Sequence, residues 1–225
     1  ALCNKFILWQ APAGGINIET CAYHRPPLMR KNYVWQQDLP WLARALYAFF
    51  DYTGELQYKA AADRFAIYFI VCLNPKSPAF ALGGGLEPCY KLYSEHNTLD
   101  DILHDKAQFL YQWLLGYRTE NGNYIDCGYN FPADSGLDAG FSCDLTDVGR
   151  GLIAFQQLFK EEEALNHATG LAQYFLNEAN PGTYDGIWSS EIGTWLVGPT
   201  DGAGFENLKV PANSAGWGWS TYYAS

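Results

Sequence analysis

The segment Val34–Leu73 constrains the fold more than any other part of the chain, because its apolar residues follow a helical period twice in succession. In each half, steps of three and four place them along one side of a helix. Gly54 predicts the turn between the halves, since glycine readily takes the left-handed conformation that ends helices. The segment therefore predicts two paired helices. Their apolar positions are Trp35, Leu39, Leu42, Leu46 and Phe49, followed by Ala62, Phe65, Ala66, Phe69 and Leu73.

The same periodicity recurs later and predicts three more helices. They span about Thr98–Arg118, Leu145–Lys160 and a partner helix that ends near Asn180. Gly149 and Gly151 predict a close approach by a neighbouring helix, since a glycine inside a helix otherwise costs about 1 kcal/mol. The remaining segments are predicted to be irregular. They are 1–33, with a short strand near 17–23, then 74–93, which contains three prolines, then 123–143 and 181–225.

This pattern predicts a mostly α fold, in which α/α hairpins form a complete or partial α/α toroid with long aromatic-rich loops. A length of 225 residues favours a single α/α-hairpin domain, 1–225, which can be part of a longer protein.

Charge and motifs argue against several classes of function. A net charge of −10 argues against a nucleic-acid partner, which requires a basic surface. The sequence contains no run of about 18 apolar residues, so it predicts no membrane span. Gly83-Gly-Gly85 lacks the Lys and Ser/Thr of a phosphate-binding loop. No metal-ligand cluster stands out, and His104 and His167, lone histidines on predicted helices, are expected to be satisfied surface residues. We therefore expect no cofactor and no metal.

The six cysteines leave two alternatives open. They are widely spaced, and no Cys-x-x-Cys pair indicates a zinc site. The first alternative is a set of three disulfides, which would imply an oxidising compartment. The second is that cysteines are free, since Cys72 lies in an apolar helical stripe, where a free buried thiol is just as common. The aromatic, sugar-type surface favours a secreted or periplasmic location. The cysteines are Cys3, Cys21, Cys72, Cys89, Cys127 and Cys143.

The run Tyr93-Ser-Glu-His-Asn97 is the first candidate for catalysis. It is predicted to precede a helix, whose N-terminal dipole favours acidic groups and anions. Glu95 and His96 can supply acid and base chemistry, and Asn97 can hydrogen-bond a hydroxyl group of a substrate. The alternative is a polar helix cap with an incidental histidine.

Two aspartates open the predicted helix near residue 145. Asp144 and Asp147 are three residues apart and can share one face of that helix. Paired carboxylates cleave glycosidic bonds as general acid and as base or nucleophile, and Arg150 can contact the substrate beside them. The alternative is structural, with Asp144 as a helix cap, Asp147 favoured by the dipole and Arg150 as a salt-bridge partner.

Other residues are candidates for contact with a sugar. In a uronate lyase, Tyr23 or His24 would take the proton and Arg25 would hold the carboxylate. The alternative is that these three pack a loop. Further aromatic and polar side chains in the predicted loops can stack on a pyranose or hydrogen-bond to it, or can pack the loops. These are Asp126, Tyr129, Trp188, Trp217 and Trp219.

Two segments carry a resemblance to a known superfamily. Ser94-Glu-His-Asn97 and the turn Asp51-Tyr-Thr-Gly-Glu55 resemble segments of the six-hairpin, α/α-toroid glycosidase superfamily. The resemblance extends over about Val34 to Asn180. Because that superfamily contains glycoside hydrolases, polysaccharide lyases and sugar epimerases, the resemblance implies a carbohydrate-active enzyme with a carbohydrate substrate.

The function predicted from these observations is the cleavage of glycosidic bonds in an extracellular poly- or oligosaccharide, by hydrolysis. One of Glu95, Asp144 and Asp147 would protonate the leaving oxygen, and a second would activate water or attack. Two alternatives remain, a polysaccharide lyase that acts on uronic acids by β-elimination and a non-catalytic glycan-binding or scaffold protein.

Overall fold

The computed structural model describes residues 2–15, 39–96, 101–118, 124, 142–178, 188–190 and 194–195. This part of the chain is mostly helical, as predicted. Its elements in chain order are α1 (Leu2–Trp9), α2 (Leu39–Thr53), α3 (Leu56–Cys72), α4 (Ala79–His96), α5 (Asp101–Leu115), α6 (Ser142–Phe159), α7 (Glu162–Leu176), β1 (Trp188–Ser189) and β2 (Thr194–Trp195).

The chain divides into two compact units. Unit 1 consists of Ala1–Asn74 and Gly85–Gln108, and unit 2 consists of Pro75–Gly84 and Phe109–Ser225. The chain passes between the units three times, between Asn74 and Pro75, within α4 and within α5. The expectation of one domain stays a prediction.

In unit 1, α2 and α3 pack against each other and form the predicted hairpin. Gly54 lies in the turn with a φ of 71°, and its N–H donates to the carbonyl of Phe50 at 2.7 Å. Leu39, Leu46 and Phe65 are fully buried along the two apolar stripes. The hairpin prediction is therefore confirmed for residues 39–72.

Helix α1 shows that the prediction of an irregular N-terminal segment was wrong for residues 2–9. The helix packs on both α2 and α3. The Tyr58 hydroxyl donates to Oδ1 of Asn4 at 2.6 Å, and Nε2 of Gln10, just after α1, donates to the carbonyl of Ala61 at 2.9 Å. Eight residues make little more than two turns, too few for a clear period, and such a short helix depends on tertiary packing. The strand expected near 17–23 lies outside the described residues.

Helix α4 replaces most of the loop that was predicted over 74–93. Residues 81–86 of this helix are all buried. In unit 2, a Cβ atom at Gly83 would lie 2.6 Å from the Cα of Val148 in α6, and a Cβ atom at Gly151 would lie 2.7 Å from the Cα of Gly83. The close neighbour predicted from Gly151 is therefore confirmed. A Cβ atom at Gly149 would make only an ordinary contact, 3.5 Å from Leu171.

Helices α6 and α7 form a second hairpin, as predicted. Lys160 makes the turn between them in the left-handed region, with a φ of 57°. The buried faces meet along the hairpin. They consist of Leu145, Val148, Leu152 and Phe155 from α6, and Ala164, Ala168, Leu171 and Tyr174 from α7.

Strands β1 and β2 pair antiparallel, with Trp188 opposite Trp195 and Ser189 opposite Thr194. The N–H of Trp188 also donates to the carbonyl of Asn177, just after α7, at 3.0 Å. The small ribbon is thereby attached to the end of the second hairpin.

Cys3, Cys72 and Cys89 are free thiols. A framework of three disulfides would use all six cysteines, so that alternative is wrong. Within the described residues, no helix is both long enough and apolar enough to cross a membrane.

Candidate functional site

The first turns of α6 carry the predicted pair of aspartates. Asp144 is the third residue of this helix and Asp147 is the sixth, so their backbone positions are one turn apart. Residues with this spacing have Cβ atoms about 5–6 Å apart. Asp147 is 9% exposed, and within the described part of the chain it is the one charged residue that is buried.

The backbone around Asp147 belongs to the close crossing of α4 and α6 in unit 2. A Cβ atom at Gly83 would lie 2.8 Å from the carbonyl oxygen of Asp147. The position of Asp147 is therefore determined by tight packing, which limits the movement of its main chain.

A groove of about 310 Å³ lies between α6 and α7. Two of the residues that line it, Leu145 and Thr146, stand between the two aspartates in the sequence. Its lining is mostly apolar, with Leu145, Ile153 and Phe175 among the contributors, while Thr146 and Arg150 supply polar groups. The apolar lining suits packing better than hydrogen bonding to many sugar hydroxyls. Arg150, predicted to contact the substrate, is exposed at this groove.

Glu95 and His96 lie in the last turn of α4, so the prediction that they lie in a loop is wrong. The next helix, α5, begins at Asp101. A helix C-terminus carries a partial negative charge, which favours a cation and disfavours an acidic side chain. The anion-binding argument therefore does not apply to the positions of Glu95 and His96. Asn97 lies outside the described residues.

A cluster that the sequence did not predict lies in unit 2. The Tyr111 hydroxyl is 3.5 Å from Nδ1 of His167, and Nε2 of His167 is 3.7 Å from Oε1 of Glu163. The rings of Tyr111 and Phe155 stack with centroids 4.0 Å apart. His167 was expected to be a satisfied surface residue; its side chain is 11% exposed, and these polar groups are its neighbours. The i, i+4 spacing of Glu163 and His167 was the one local sign of this cluster.

The environment shifts the proton affinities of both ring groups. Burial, and then the charges of Glu163 and Glu161, raise the pKa of Tyr111 to about 12. Burial, and then the charge of Arg118, lower the pKa of His167, while Glu163 opposes that shift. Tyr111 is 3% exposed, so a substrate would reach this pair only after a rearrangement.

A polar cluster in unit 1 is also absent from the sequence predictions. Nε of Arg44 donates to Oε1 of Glu87 at 3.1 Å, and its NH2 group makes a second, short bond to the other carboxylate oxygen. The guanidinium carbon lies 4.4 Å from the ring centroid of Trp41. The adjacent cavity of about 10 Å³ has room for one water molecule. The cavity is too small for a sugar ring, so we assign a structural role to the cluster of Arg44, Glu87 and Trp41.

No protein-family model, curated protein or solved structure matches this chain.

Trp188 is the described member of the predicted aromatic set, and its side chain is partly exposed in β1. Next to it, Ser190 donates to the carboxylate of Glu178 through both its N–H and its hydroxyl, each at 2.9 Å. The remaining predicted site residues lie outside the described residues and stay predictions. They are Tyr23, His24, Arg25, Asp126, Tyr129, Trp217 and Trp219.

Within the described part of the chain, no group of three His, Cys, Asp or Glu side chains could hold a metal ion.

Proposed function

We propose that this protein hydrolyses glycosidic bonds in an extracellular poly- or oligosaccharide, with Asp147 as the proton donor. The observation that supports this most directly is the burial of Asp147 one helical turn from Asp144. Glycoside hydrolysis pairs a carboxylic acid that protonates the leaving oxygen with a second carboxylate. We give the role of the acid to the buried Asp147.

Asp144 takes the complementary role in this proposal. It lies in the first turn of α6, where the positive end of the helix dipole stabilises a carboxylate. An ionised carboxylate is required to activate water or to attack the sugar. In this proposal the two aspartates of α6 act as the acid and the base of one reaction.

The proposal includes the predicted architecture and location. The hairpins α2–α3 and α6–α7 support α/α hairpins as the repeating unit of a complete or partial toroid with long aromatic loops. A secreted or periplasmic location follows from the proposed extracellular substrate. Glu95 and His96, at the end of α4, stay candidates for contact with the substrate.

One observation supports β-elimination on uronic acids as a second candidate. Tyr111 and His167 approach to 3.5 Å, and the charge of Arg118 acts on both. A tyrosine, a histidine and an arginine can together move the C5 proton and neutralise the carboxylate. Hydrolysis ranks first because its two carboxylates lie one turn apart on one helix, and because Tyr111, at 3% exposed, is more enclosed than Asp147, at 9%.

A screen of polysaccharides separates these functions. The full chain is incubated with starch, xylan, mannan, β-glucan, polygalacturonate and alginate. Reducing ends and the ultraviolet absorbance of an unsaturated product are both followed. The proposal predicts reducing ends from a neutral polymer without that absorbance. Unsaturated product from alginate or polygalacturonate would instead support the lyase. No product from any polymer would contradict both and favour a glycan-binding or scaffold protein.

A further inference from the structure

We propose that Gly83 is a positioning residue for the hydrolysis. Because it has no side chain, the peptide group between Asp147 and Val148 can occupy the place from which Asp147 donates its proton. The role of Asp147 rests on the proposed function, whereas the contact itself rests on the packing of α4 against α6 in unit 2. Gly83 acts on the reaction through Asp147 and does not touch the substrate.

The atoms that face Gly83 all belong to the backbone of α6. An added Cβ atom would lie 2.6 Å from the Cα of Val148, 2.8 Å from the carbonyl oxygen of Asp147 and 3.0 Å from the backbone nitrogen of Val148. A flexible side chain can turn away from such a contact, whereas a main chain within a hydrogen-bonded helix moves only together with the helix. Gly149 gives the contrast, since a Cβ atom there would meet the side chain of Leu171 at an ordinary 3.5 Å.

Gly83 lies against one hydrogen-bonded turn of α6. In an α-helix the carbonyl of residue 147 accepts a hydrogen bond from the N–H of residue 151. Gly151 is also the residue whose added Cβ atom would meet the backbone of Gly83. The contacts of Gly83 therefore include both ends of the turn that begins at Asp147. Glycine is unfavourable in the interior of a helix, so this packing, and not local preference, accounts for Gly83 in α4.

The size of the displacement decides whether a side chain at position 83 would affect catalysis. Ordinary contact begins at 3.4 Å, and the added Cβ atom would lie only 2.6 Å from the Cα of Val148, a shortfall of about 0.8 Å. Residues 81–86 of α4 are buried, so α4 cannot retreat freely from close packing and α6 takes part of the shift. Catalytic groups have to be held within about 0.5 Å of their productive positions. A misplacement of about 1 Å can slow a reaction about 100-fold.

The test compares Gly83→Ala with wild type on the neutral polymer that the screen identifies, at a temperature at which both are folded. The kcat of the variant should fall about tenfold or more, because the proton donor is displaced. KM should change less than twofold, because the groups that bind the polymer stay in place. Circular dichroism confirms the fold. Gly151→Ala separates the same two backbones from the side of α6, and it replaces Gly83→Ala if that variant does not fold.

Two control variants separate position from stability. Ile70→Val removes one methyl group from a fully buried residue of α3 in unit 1 and should lower the thermal midpoint. Gly170→Ala adds a methyl group in α7 that meets nothing within 4 Å. Both should keep kcat within about twofold of wild type. A fall in the kcat of Ile70→Val equal to that of Gly83→Ala would overturn the inference, because lower stability alone would then account for the effect.

A second measurement follows the same peptide group without any reaction. Asp147-Val148 is the one Asp-Val pair in the sequence. A chain labelled with ¹³C-carbonyl aspartate and ¹⁵N valine therefore gives one signal in a nuclear magnetic resonance experiment that links a carbonyl to the next amide. That signal should move in Gly83→Ala and stay in place in Ile70→Val and Gly170→Ala.

The outcomes distinguish this inference from the proposed hydrolysis. Cleavage by wild type together with an unchanged kcat in folded Gly83→Ala would overturn the inference and leave the hydrolysis in place, as would cleavage together with an unmoved Asp147–Val148 signal. A moved signal in a chain that cleaves no polymer would support the placement of Asp147 by Gly83 and remove the hydrolysis.

Discussion

Gly151 of α6 packs directly on the backbone of Gly83 in α4, so closely that a Cβ atom at position 151 would lie 2.7 Å from the Cα of Gly83. Real Cβ atoms do not approach another carbon atom so closely. The two glycines therefore set how near these helical segments of unit 2 can come, and Asp147 lies one turn away from Gly151 on the same helix. The packing around the proposed proton donor depends on the absence of a single methyl group.

Replacement of Gly151 by alanine should destabilise the protein. The added Cβ atom would force the backbones apart, and overpacking of this kind typically costs about 1–3 kcal/mol. Since about 2–4 °C corresponds to 1 kcal/mol in chains of this size, thermal unfolding should show a midpoint several degrees lower. Gly170→Ala in α7 is the control, because its Cβ atom would meet nothing within 4 Å. It should raise the midpoint or leave it unchanged, since alanine favours helices. Equal midpoints for the two variants would contradict the close packing.

The ion pair of Arg44 and Glu87 should show measurable coupling. Its two side chains are about four-fifths buried, and paired hydrogen bonds between guanidinium and carboxylate are stronger than a single contact. A double-mutant cycle of Arg44→Ala and Glu87→Ala, followed by urea unfolding, should give a coupling free energy of about 1 kcal/mol. The coupling should fall in 1 M NaCl, because salt screens charges that are not fully buried. Additive effects of the two substitutions would show that the pair contributes nothing.

The stability of unit 2 should fall in acid because of His167. Its pKa is lower in the folded chain than the ordinary value, chiefly through burial. The unfolded chain therefore binds the proton more tightly. The stability that neutral His167 contributes is complete above its pKa in the unfolded chain, near 6.5. It is lost as the pH falls from there through the lower pKa that His167 has in the folded chain. Urea unfolding at pH 7.5 and pH 5.0 should show a loss of stability that shrinks in His167→Gln. The control His104→Gln alters an exposed histidine and should keep the full loss. An unchanged pH dependence in His167→Gln would contradict this account.

Cys89 should resist alkylation in the folded protein. Complete burial raises the pKa of its thiol to about 12, so at pH 8 the thiolate fraction is on the order of 10⁻⁴ and the reactive form is scarce. Cys3 and Cys72 are partly exposed free thiols. Brief iodoacetamide treatment at pH 8, read by mass spectrometry, should label Cys3 and Cys72 and leave Cys89 unlabelled. All three should be labelled after denaturation. Labelling of Cys89 at the rate of Cys72 would show that it is accessible.

Hydrophobic periodicity predicted the two hairpins because their stripes are long and uninterrupted. It missed α4, in which Gly83-Gly-Gly85 and Pro88 each disfavour a helix locally. That segment is helical because its residues are buried, and Gly83 is required where α6 comes closest. Tertiary packing outweighs local preference there, and a single sequence does not contain that information.

The candidate site, like the fold, could be predicted from the sequence only in part. Asp144 and Asp147 are three residues apart on one helix, so their relation follows from helical geometry alone. Tyr111 and His167 are 56 positions apart, and nothing local to either one marks the other as its partner. Glu95 and His96 were assigned to the wrong end of a helix because the preceding helix, α4, was not predicted.

Asp147→Asn tests the central claim most directly, once the screen has identified a polymer that is cleaved. The amide keeps the size of the side chain and cannot donate a proton as an acid. On the polymer that the screen identifies, kcat/KM of the variant should be about 100-fold or more below that of wild type, which is the usual contribution of a general acid. KM should stay nearly constant, and the thermal midpoint should confirm folding. Asp105→Asn, an exposed aspartate on α5, should retain activity within about twofold of wild type. Full activity in a folded Asp147→Asn variant would contradict the account.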